Sequence, residues 1–179
     1  MTYLIGLKGF EGVFLVVILG IDPGYALVGY GAVDFVGGRY RYIGSGGIST
    51  AAKDSLFDRL EEIFDETNKL VNFYKPKASA IESLYFQNNQ KTAIKVAQAR
   101  GIILLALKKN DIPIHEYTPL QVKSAVTGYG KAQKCQVMMT TKMLLNLREI
   151  PKPDDAADAL AIAICHANCS NSLLLREKG

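Results

Sequence analysis

The chain has 179 residues, of which 49% are hydrophobic and 21% are charged, which is the ordinary balance of a soluble globular domain. A net charge of +4 permits a nucleic-acid partner without requiring one. Three cysteines, an odd number with no framework spacing, argue against a secreted domain held together by disulfides.

An apolar segment near the N-terminus, Phe14 to Ile21, resembles the core of a signal peptide but lacks its flanks. Only Lys8 supplies positive charge before it, Glu11 intervenes, and no small-residue cleavage site follows. The segment is also too short to span a bilayer. We therefore interpret it as a buried strand, and we expect a cytoplasmic protein with no membrane association.

Hydrophobic periodicity and turn residues predict a mixed α/β chain without a linker or repeat. Runs of β-branched residues indicate strands, the Gly37-Gly38 pair indicates a hairpin, and Gly44, Gly46 and Gly47 indicate a bulge or bend. In chain order, the predicted elements are strands over 16–22, 28–35 and 39–48, a helix over 54–74, a strand over 78–82, a helix over 90–109, a strand over 112–117, a helix over 120–147 interrupted at 128–130, and a helix over 154–167.

Carboxylates stand at three places where a charge is costly. Asp22 and Glu82 each end an apolar strand, and Asp155 and Asp158 lie on a helix that is otherwise almost purely apolar. Residues three apart on a helix share a face, so these two aspartates point the same way. A lone acid at a strand end is more often a structural cap than a catalytic group. Three elements with the same anomaly favour a shared cation, because unpaired buried carboxylates are strongly unfavourable.

The chemistry of this donor set predicts a phosphodiesterase. Oxygen ligands without matching histidine or cysteine favour Mg²⁺, or Mn²⁺ in its place. Four carboxylates can hold two such ions roughly 3.5–4 Å apart, an arrangement that suits in-line displacement at a phosphodiester. Gly24, Gly29 and Gly31 are interpreted as leaving room for a bulky anionic ligand near Asp22, although a turn explains Gly24 equally well.

Two further segments are typical of nucleic-acid contacts. No acidic residue occurs between Leu120 and Arg148, and this stretch is either a phosphate-binding surface or a solvated basic face. Tyr85 and Phe86 follow Glu82 and can stack on unpaired bases, but one of the two is expected to face the core, and the pattern does not say which. The basic residues of the stretch are Lys123, Lys131, Lys134, Lys142 and Arg148.

Taken together, these segments resemble the RuvC family of Holliday junction resolvases over residues 17–166. No single segment is decisive, but the whole set in this order is specific. The matching segments are Ile18-Leu-Gly-Ile-Asp-Pro-Gly24 with Gly29-Tyr-Gly31, Ala80-Ile-Glu82, Gln98-Ala-Arg-Gly101, Gln121-Val-Lys123, Gly128-Tyr-Gly-Lys-Ala-Gln-Lys134 and Asp155-Ala-Ala-Asp-Ala-Leu-Ala-Ile-Ala163.

The resemblance implies an RNase H-like fold, a mixed five-stranded sheet flanked by helices, with an active site built from the carboxylates named above. It implies metal-dependent cleavage of four-way DNA junctions in recombination and repair, giving 5′-phosphate and 3′-hydroxyl nicks. The residues on which it places functions are Asp22, Glu82, Asp155 and Asp158 for catalysis and metal binding, Tyr85 with Phe86 beside it for DNA contact, and Lys123 and Lys134 as functional lysines.

The resemblance also implies a homodimer that cooperates with a branch-migration complex of the RuvA–RuvB type. A two-fold protein suits a junction with approximate two-fold symmetry. Ala93, Ala97 and Gly101 form a small-residue face on the second helix that lets a partner helix approach, although core packing explains that face nearly as well.

The N-terminus departs from the family pattern, because Met1 to roughly Phe14 precede the first strand. We expect an N-terminal extension over 1–15 that is poorly ordered or peripheral, a nuclease domain over 16–168 and a C-terminal tail over 169–179.

Three other functions compete with junction resolution. Asp22 followed by glycines also opens the phosphate-binding hairpin of actin-like ATPases and sugar kinases, but those proteins need a second hairpin and two larger domains. Another RNase H-like nuclease, acting on RNA–DNA hybrids or on other branched DNA, shares the catalytic acids. A non-catalytic junction-binding protein is disfavoured by four intact acids.

Overall fold

The computed structural model describes residues 16–83 and 90–176. The predicted N-terminal extension, Tyr85 and Phe86 lie outside these ranges. The described elements are β1 (Val17–Asp22), β2 (Leu27–Val36), β3 (Arg39–Ser49), α1 (Leu56–Tyr74), β4 (Ala78–Glu82), α2 (Gln90–Lys109), β5 (Ile114–Tyr117), α3 (Pro119–Thr127), α4 (Lys134–Leu144) and α5 (Asp154–Arg176).

The strands form one five-stranded mixed sheet in the order β3-β2-β1-β4-β5. β1, β2 and β3 pair antiparallel through the hairpin at Gly37 and Gly38, which both have positive φ as a tight two-residue turn requires. β4 and β5 then add in parallel beside β1. The predicted irregularity in β3 is confirmed, since the register skips one residue beside Gly44.

Helices cover both faces of the sheet. Successive side chains of a strand point to opposite faces, so the apolar central strands are buried on both sides. One core joins Ile18 and Ala80 to helices α3, α4 and α5, and the other joins Leu19 and Ile81 to helices α1 and α2. The predicted RNase H-like mixed sheet flanked by helices is therefore confirmed. Among the described helices, none combines the length and apolar character needed to cross a membrane.

Two helix boundaries follow from local chemistry. α3 begins with a capping box between Thr118 and Gln121 and ends at Gly128, whose φ of 75° lies in the left-handed region, so the predicted break at 128–130 is confirmed.

The predicted end of the last helix at Ala167 is wrong. Neither glycine nor proline follows Ala167 before Gly179, and α5 continues to Arg176, so the expected C-terminal tail is helical over 169–176.

Candidate active site

Asp22 and Glu82 lie side by side at the carboxyl ends of neighbouring strands. β1 and β4 run parallel, and Ile21 is paired with Ile81, which places the next residue of each strand at the same edge of the sheet. Both acids are partly buried. Parallel pairing thus brings together two carboxylates that are 60 positions apart in the chain.

Glycines in β1 and β2 bring the first turns of α5 onto this edge. A Cβ atom at Gly20 would lie 2.0 Å from the carbonyl oxygen of Ala159, and one at Gly29 would lie 2.2 Å from the carbonyl oxygen of Asp155. Gly29 is itself the strand partner of Asp22. The backbone of Asp155 therefore packs against the strand position beside Asp22.

This packing corrects the interpretation of Gly29 and Gly31 as space for an anionic ligand. A Cβ atom at Gly31 would lie 2.7–2.8 Å from atoms of Leu160, so α5 fills the space above both glycines. At Gly24, a Cβ atom would meet the carbonyl oxygen of Leu27 at 2.0 Å, which is the close approach of a tight turn. The glycines seat the helix that carries two of the acids.

An open cavity of about 230 Å³ lies where these elements meet. Asp22, Glu82 and Asp158 contribute carboxylates to its wall, and Lys123 and Lys134 contribute ammonium groups. Asp155 is not among the lining residues, but its charge acts on Asp22. The apolar part of the wall consists of Pro119, Val122, Val137, Ala161 and Ile162.

Burial and mutual repulsion raise the proton affinity of the acids. The pKa of Asp22 rises from 3.8 to about 7, first because of burial and then because of the charges of Glu82, Asp158 and Asp155. Burial also raises the pKa of Glu82, with a further contribution from Asp158, while Lys123 and Lys134 oppose the shift. Excess negative charge held in a partly dry pocket is the condition under which a divalent cation binds well.

Lys134 provides the nearest positive charge. Its Nζ lies 2.7 Å from a carboxylate oxygen of Asp158, and this hydrogen bond is the main cause of the raised pKa of the lysine. Within residues 16–83 and 90–176, no three acidic, histidine or cysteine side chains are grouped closely enough to hold an ion as they stand. The donor set fits a hard divalent ion in charge and chemistry, and ligation requires the carboxylates to draw closer together.

The other predicted DNA-binding residues lie in different places. Lys123 and Lys134 line the cavity, whereas Lys131 is exposed on the connection between α3 and α4 and does not line it. Tyr85 and Phe86 belong to the undescribed segment that follows Ser83. Their predicted stacking role therefore stays a prediction.

Two arginines that the sequence pattern did not identify individually donate hydrogen bonds to the backbone near the acids. Arg100 Nε donates to the carbonyl oxygen of Glu82 at 3.3 Å, and Nη2 lies 2.6 Å from Glu116. Buried Arg59 donates to Thr50 at 2.8 Å and to the carbonyl oxygen of Tyr25, in the turn after Asp22, at 3.2 Å. The Gln98-Ala-Arg-Gly101 segment gave a signal for Arg100, whereas nothing in the sequence marked Arg59 among its acidic neighbours.

Replacing Arg100 with lysine is expected to slow the junction cleavage that the family resemblance implies. Lysine lacks the fixed planar fork, so the contacts with the Glu82 carbonyl and with Glu116 cannot both be kept. A small displacement of a predicted catalytic carboxylate would be costly, and we expect roughly a tenfold loss of rate with unchanged junction affinity. Single-turnover cleavage and a binding titration test this. Glu116→Gln is the matched control, because its half-exposed side chain leaves the Glu82 contact intact, and an equal loss of rate in the control would contradict the positioning role.

The raised pKa of Asp22 predicts that the stability of the metal-free protein depends on pH. Between the ordinary value of 3.8 and about 7, the folded state holds a proton that the unfolded chain releases. The free energy of unfolding therefore falls as pH rises through that window. Asp22→Asn should flatten the profile, whereas Asp65→Asn, on the exposed face of α1, should not. Thermal melts in EDTA from pH 4 to pH 8 check this, and parallel profiles for wild type and Asp22→Asn would refute it.

Known proteins resemble this chain in sequence over most of its length. The model of the family described as "Crossover junction endodeoxyribonuclease RuvC" matches residues 18–166. A relative of that name from Petrotoga mobilis is 53% identical over 156 residues, covering 87% of this chain and 96% of the relative. Another from Halothermothrix orenii is 55% identical over 152 residues, covering 85% and 92%.

A solved structure, Thermus thermophilus RuvC in complex with Holliday junction substrate, is similar in fold. It has a TM-score of 0.84 and 33% sequence identity, and the match covers 88% of this chain and 96% of that one. The matched family region includes all four predicted acids and both lysines of the cavity. The chain therefore belongs to the RuvC family of crossover junction endodeoxyribonucleases.

Proposed function

We propose that this chain resolves four-way DNA junctions in recombination and repair, by metal-dependent hydrolysis of one phosphodiester in each of two strands of like polarity. The products are nicks with 5′-phosphate and 3′-hydroxyl ends. The observation that carries the proposal is the cavity in which Asp22, Glu82 and Asp158 face Lys123 and Lys134. Such a site attracts a phosphate while retaining the negative charge needed to bind a cation.

The carboxylates would hold the metal. Asp22, Glu82, Asp155 and Asp158 are the proposed ligands of two Mg²⁺ ions, with Mn²⁺ as a substitute. When bound, the ions would supply Lewis-acid activation of water and neutralise charge on the leaving 3′ oxygen. Gly20 and Gly29 let α5 pack closely against β1 and β2, which keeps its two acids near Asp22, and metal binding would draw the carboxylates closer together.

The lysines would bind the substrate. Lys123 and Lys134 line the cavity opposite the acids and supply positive charge to the non-bridging phosphate oxygens. Lys134 Nζ lies 2.7 Å from Asp158. When a phosphate binds, the ammonium group would exchange one anionic partner for another. Lys131 extends the phosphate-binding surface outward, and Tyr85 and Phe86, which follow Glu82 in the sequence, remain the proposed stacking residues.

We propose that the active unit is a homodimer formed through α2. Ala97 and Gly101 are exposed on this helix together with Ile94 and Leu105, and a Cβ atom at Gly101 would meet nothing within 4 Å. The small-residue face thus points away from the core. It borders an apolar groove of about 420 Å³ between α1 and α2, lined by Phe57, Leu60, Glu61, Phe64, Ile102 and Leu105.

Leu105→Asp is expected to yield a monomer, since a charge buried across a two-fold interface is unpaired in both copies. Sedimentation of the variant, beside wild type and the control Met143→Asp on α4, tests this proposal. A wild-type monomer, or a dimer unaffected by Leu105→Asp, would contradict it.

Two further proposals concern the cellular setting. A cytoplasmic location is the first, and it is supported by the three free cysteine thiols and by the proposed DNA substrate. A branch-migration complex of the RuvA–RuvB type is the second, a partner that the resemblance to the RuvC family implies.

A cleavage assay tests the proposed activity. The protein is incubated with a labelled four-way junction, an RNA–DNA hybrid and a linear duplex, in Mg²⁺ and in EDTA. We expect paired nicks in the junction in Mg²⁺ and no cleavage in EDTA. Preferential cleavage of the hybrid would instead identify another RNase H-like nuclease, and binding without cleavage would identify a non-catalytic junction-binding protein.

A further inference from the structure

Two large apolar side chains are exposed on α3 and on the turn that follows it, between residues that line the active-site cavity. Leu120 is 63% exposed and Tyr129 is 58% exposed. Leu120 follows Pro119 and precedes Val122, both of which line the cavity. Single exposed apolar residues are common on proteins, but these two adjoin a site whose other exposed groups are charged.

The turn that carries Tyr129 packs back against the first turn of α3. A Cβ atom at Gly130 would lie 3.2 Å from Cγ of Leu120 and 3.7 Å from its carbonyl oxygen. The residue next to Tyr129 therefore contacts Leu120. We call the surface formed by Leu120 and Tyr129 the apolar rim.

Hydrogen bonds hold the backbone of Tyr129 in place. The Thr127 hydroxyl accepts from the amide of Tyr129 at 3.1 Å, and its single hydrogen is shared between the carbonyl oxygens of Lys123, at 2.8 Å, and Tyr129, at 3.1 Å. The amide of Ala132 donates to that same carbonyl at 3.0 Å. The ring thus projects from an ordered turn, and a partner that contacts it encounters little cost of ordering the backbone.

Charge around the apolar rim identifies its partner. Lys131 is exposed two residues beyond Tyr129, Lys123 and Lys134 line the adjoining cavity, and no acidic residue occurs from 120 to 148. A partner that is both anionic and rich in flat apolar faces fits this surface. Nucleic acid has both properties, and aromatic side chains among lysines are a recurring platform for stacked bases.

We propose that the apolar rim packs against nucleobases of the junction beside the scissile phosphate, with Tyr129 stacking on a base and Leu120 packing beside it. The inference rests on the proposed function and extends it to a second base-contacting surface, formed by residues other than Tyr85 and Phe86. The contact would favour substrates whose bases are unstacked near the cleavage point, which a four-way junction offers and an intact duplex does not.

Junctions carrying 2-aminopurine at positions flanking the exchange point provide the test. Binding and fluorescence are measured in EDTA for wild type, Tyr129→Ala, Tyr129→Phe and Leu120→Ala. Met143→Ala is the matched control, since Met143 is 74% exposed on α4 and outside the rim. Tyr129→Ala is expected to weaken junction binding roughly tenfold, as for the loss of one base stack, and to reduce the fluorescence change. Tyr129→Phe should keep the wild-type junction affinity and fluorescence change, because its ring still stacks.

The melting temperatures of all four variants should match that of wild type, because the substituted side chains are exposed. Junction affinity and fluorescence of Tyr129→Ala equal to those of Met143→Ala would overturn the proposal. If wild type still cleaves the junction in Mg²⁺, that result would reject base contact by the apolar rim without contradicting the proposed function. Absence of cleavage by wild type would instead count against the proposed function.

Discussion

Asp22→Asn is expected to abolish Mg²⁺-dependent cleavage while leaving junction binding nearly intact. Asparagine preserves the shape of the side chain and removes the charge at the acid whose pKa is raised to about 7 by burial and by three neighbouring carboxylates. Metal ions contribute several kcal/mol of transition-state stabilisation, which corresponds to a loss of roughly a thousandfold or more in rate. Single-turnover cleavage and a mobility-shift titration, both with a four-way junction, measure the two effects.

The chain contains a closely matched control for this substitution. Asp154 lies in the first turn of α5 beside Asp155, but it pairs with Lys152 at 2.7 Å and does not line the cavity. Asp154→Asn should cleave like wild type. Full activity of Asp22→Asn, or equal losses in the two variants, would remove Asp22 from the catalytic machinery.

Gly20→Ala is expected to produce the largest loss of stability. The added methyl group would lie 2.0 Å from the carbonyl oxygen of Ala159 and 2.8 Å from the amide nitrogen of Ala163. Both obstacles are helix backbone, so α5 must shift as a unit, and we expect a cost of about 3 kcal/mol or more in the free energy of unfolding. The shift would also carry Asp155 and Asp158 away from Asp22 and reduce cleavage. Urea denaturation measures the stability change.

Gly47→Ala provides the comparison for the Gly20 substitution. Gly47 is also a strand glycine, but its nearest obstacle is the flexible end of the Leu27 side chain, at 2.6 Å. That side chain can move aside, so we expect a cost below about 1 kcal/mol. If the two substitutions proved equally mild, the seating of α5 on β1 would not hold the acids together.

Local signals in the sequence predicted most of the fold. The break between α3 and α4 follows from Gly128, and the hairpin follows from Gly37-Gly38, because both depend on a left-handed backbone that glycine adopts readily. Asp22 and Glu82 could be named in advance because a charge at the end of an apolar strand is conspicuous. The end of α5 was missed because a helix stops where a stop signal occurs, and the residues after Ala167 supply none.

Long-range relationships could not be predicted from the pattern. Gly29 and Gly31 resemble ligand-binding glycines in sequence, and only the packing of α5 reveals that Asp155 and Leu160 occupy the space above them. The ion pair between Lys134 and Asp158, 24 positions apart, and the bond from Arg100 to Glu82 likewise depend on the meeting of separate elements. Sequence patterns name the charged residues of a site, and tertiary packing decides which of them meet.

The most direct test of the proposed metal centre is anomalous diffraction from crystals soaked in Mn²⁺. We predict manganese peaks within roughly 2–2.5 Å of carboxylate oxygens, shared between Asp22 and at least one of Glu82, Asp155 and Asp158, and lost in Asp22→Asn crystals. Manganese bound only elsewhere on a protein that cleaves junctions would contradict the convergence of these acids on the catalytic ions.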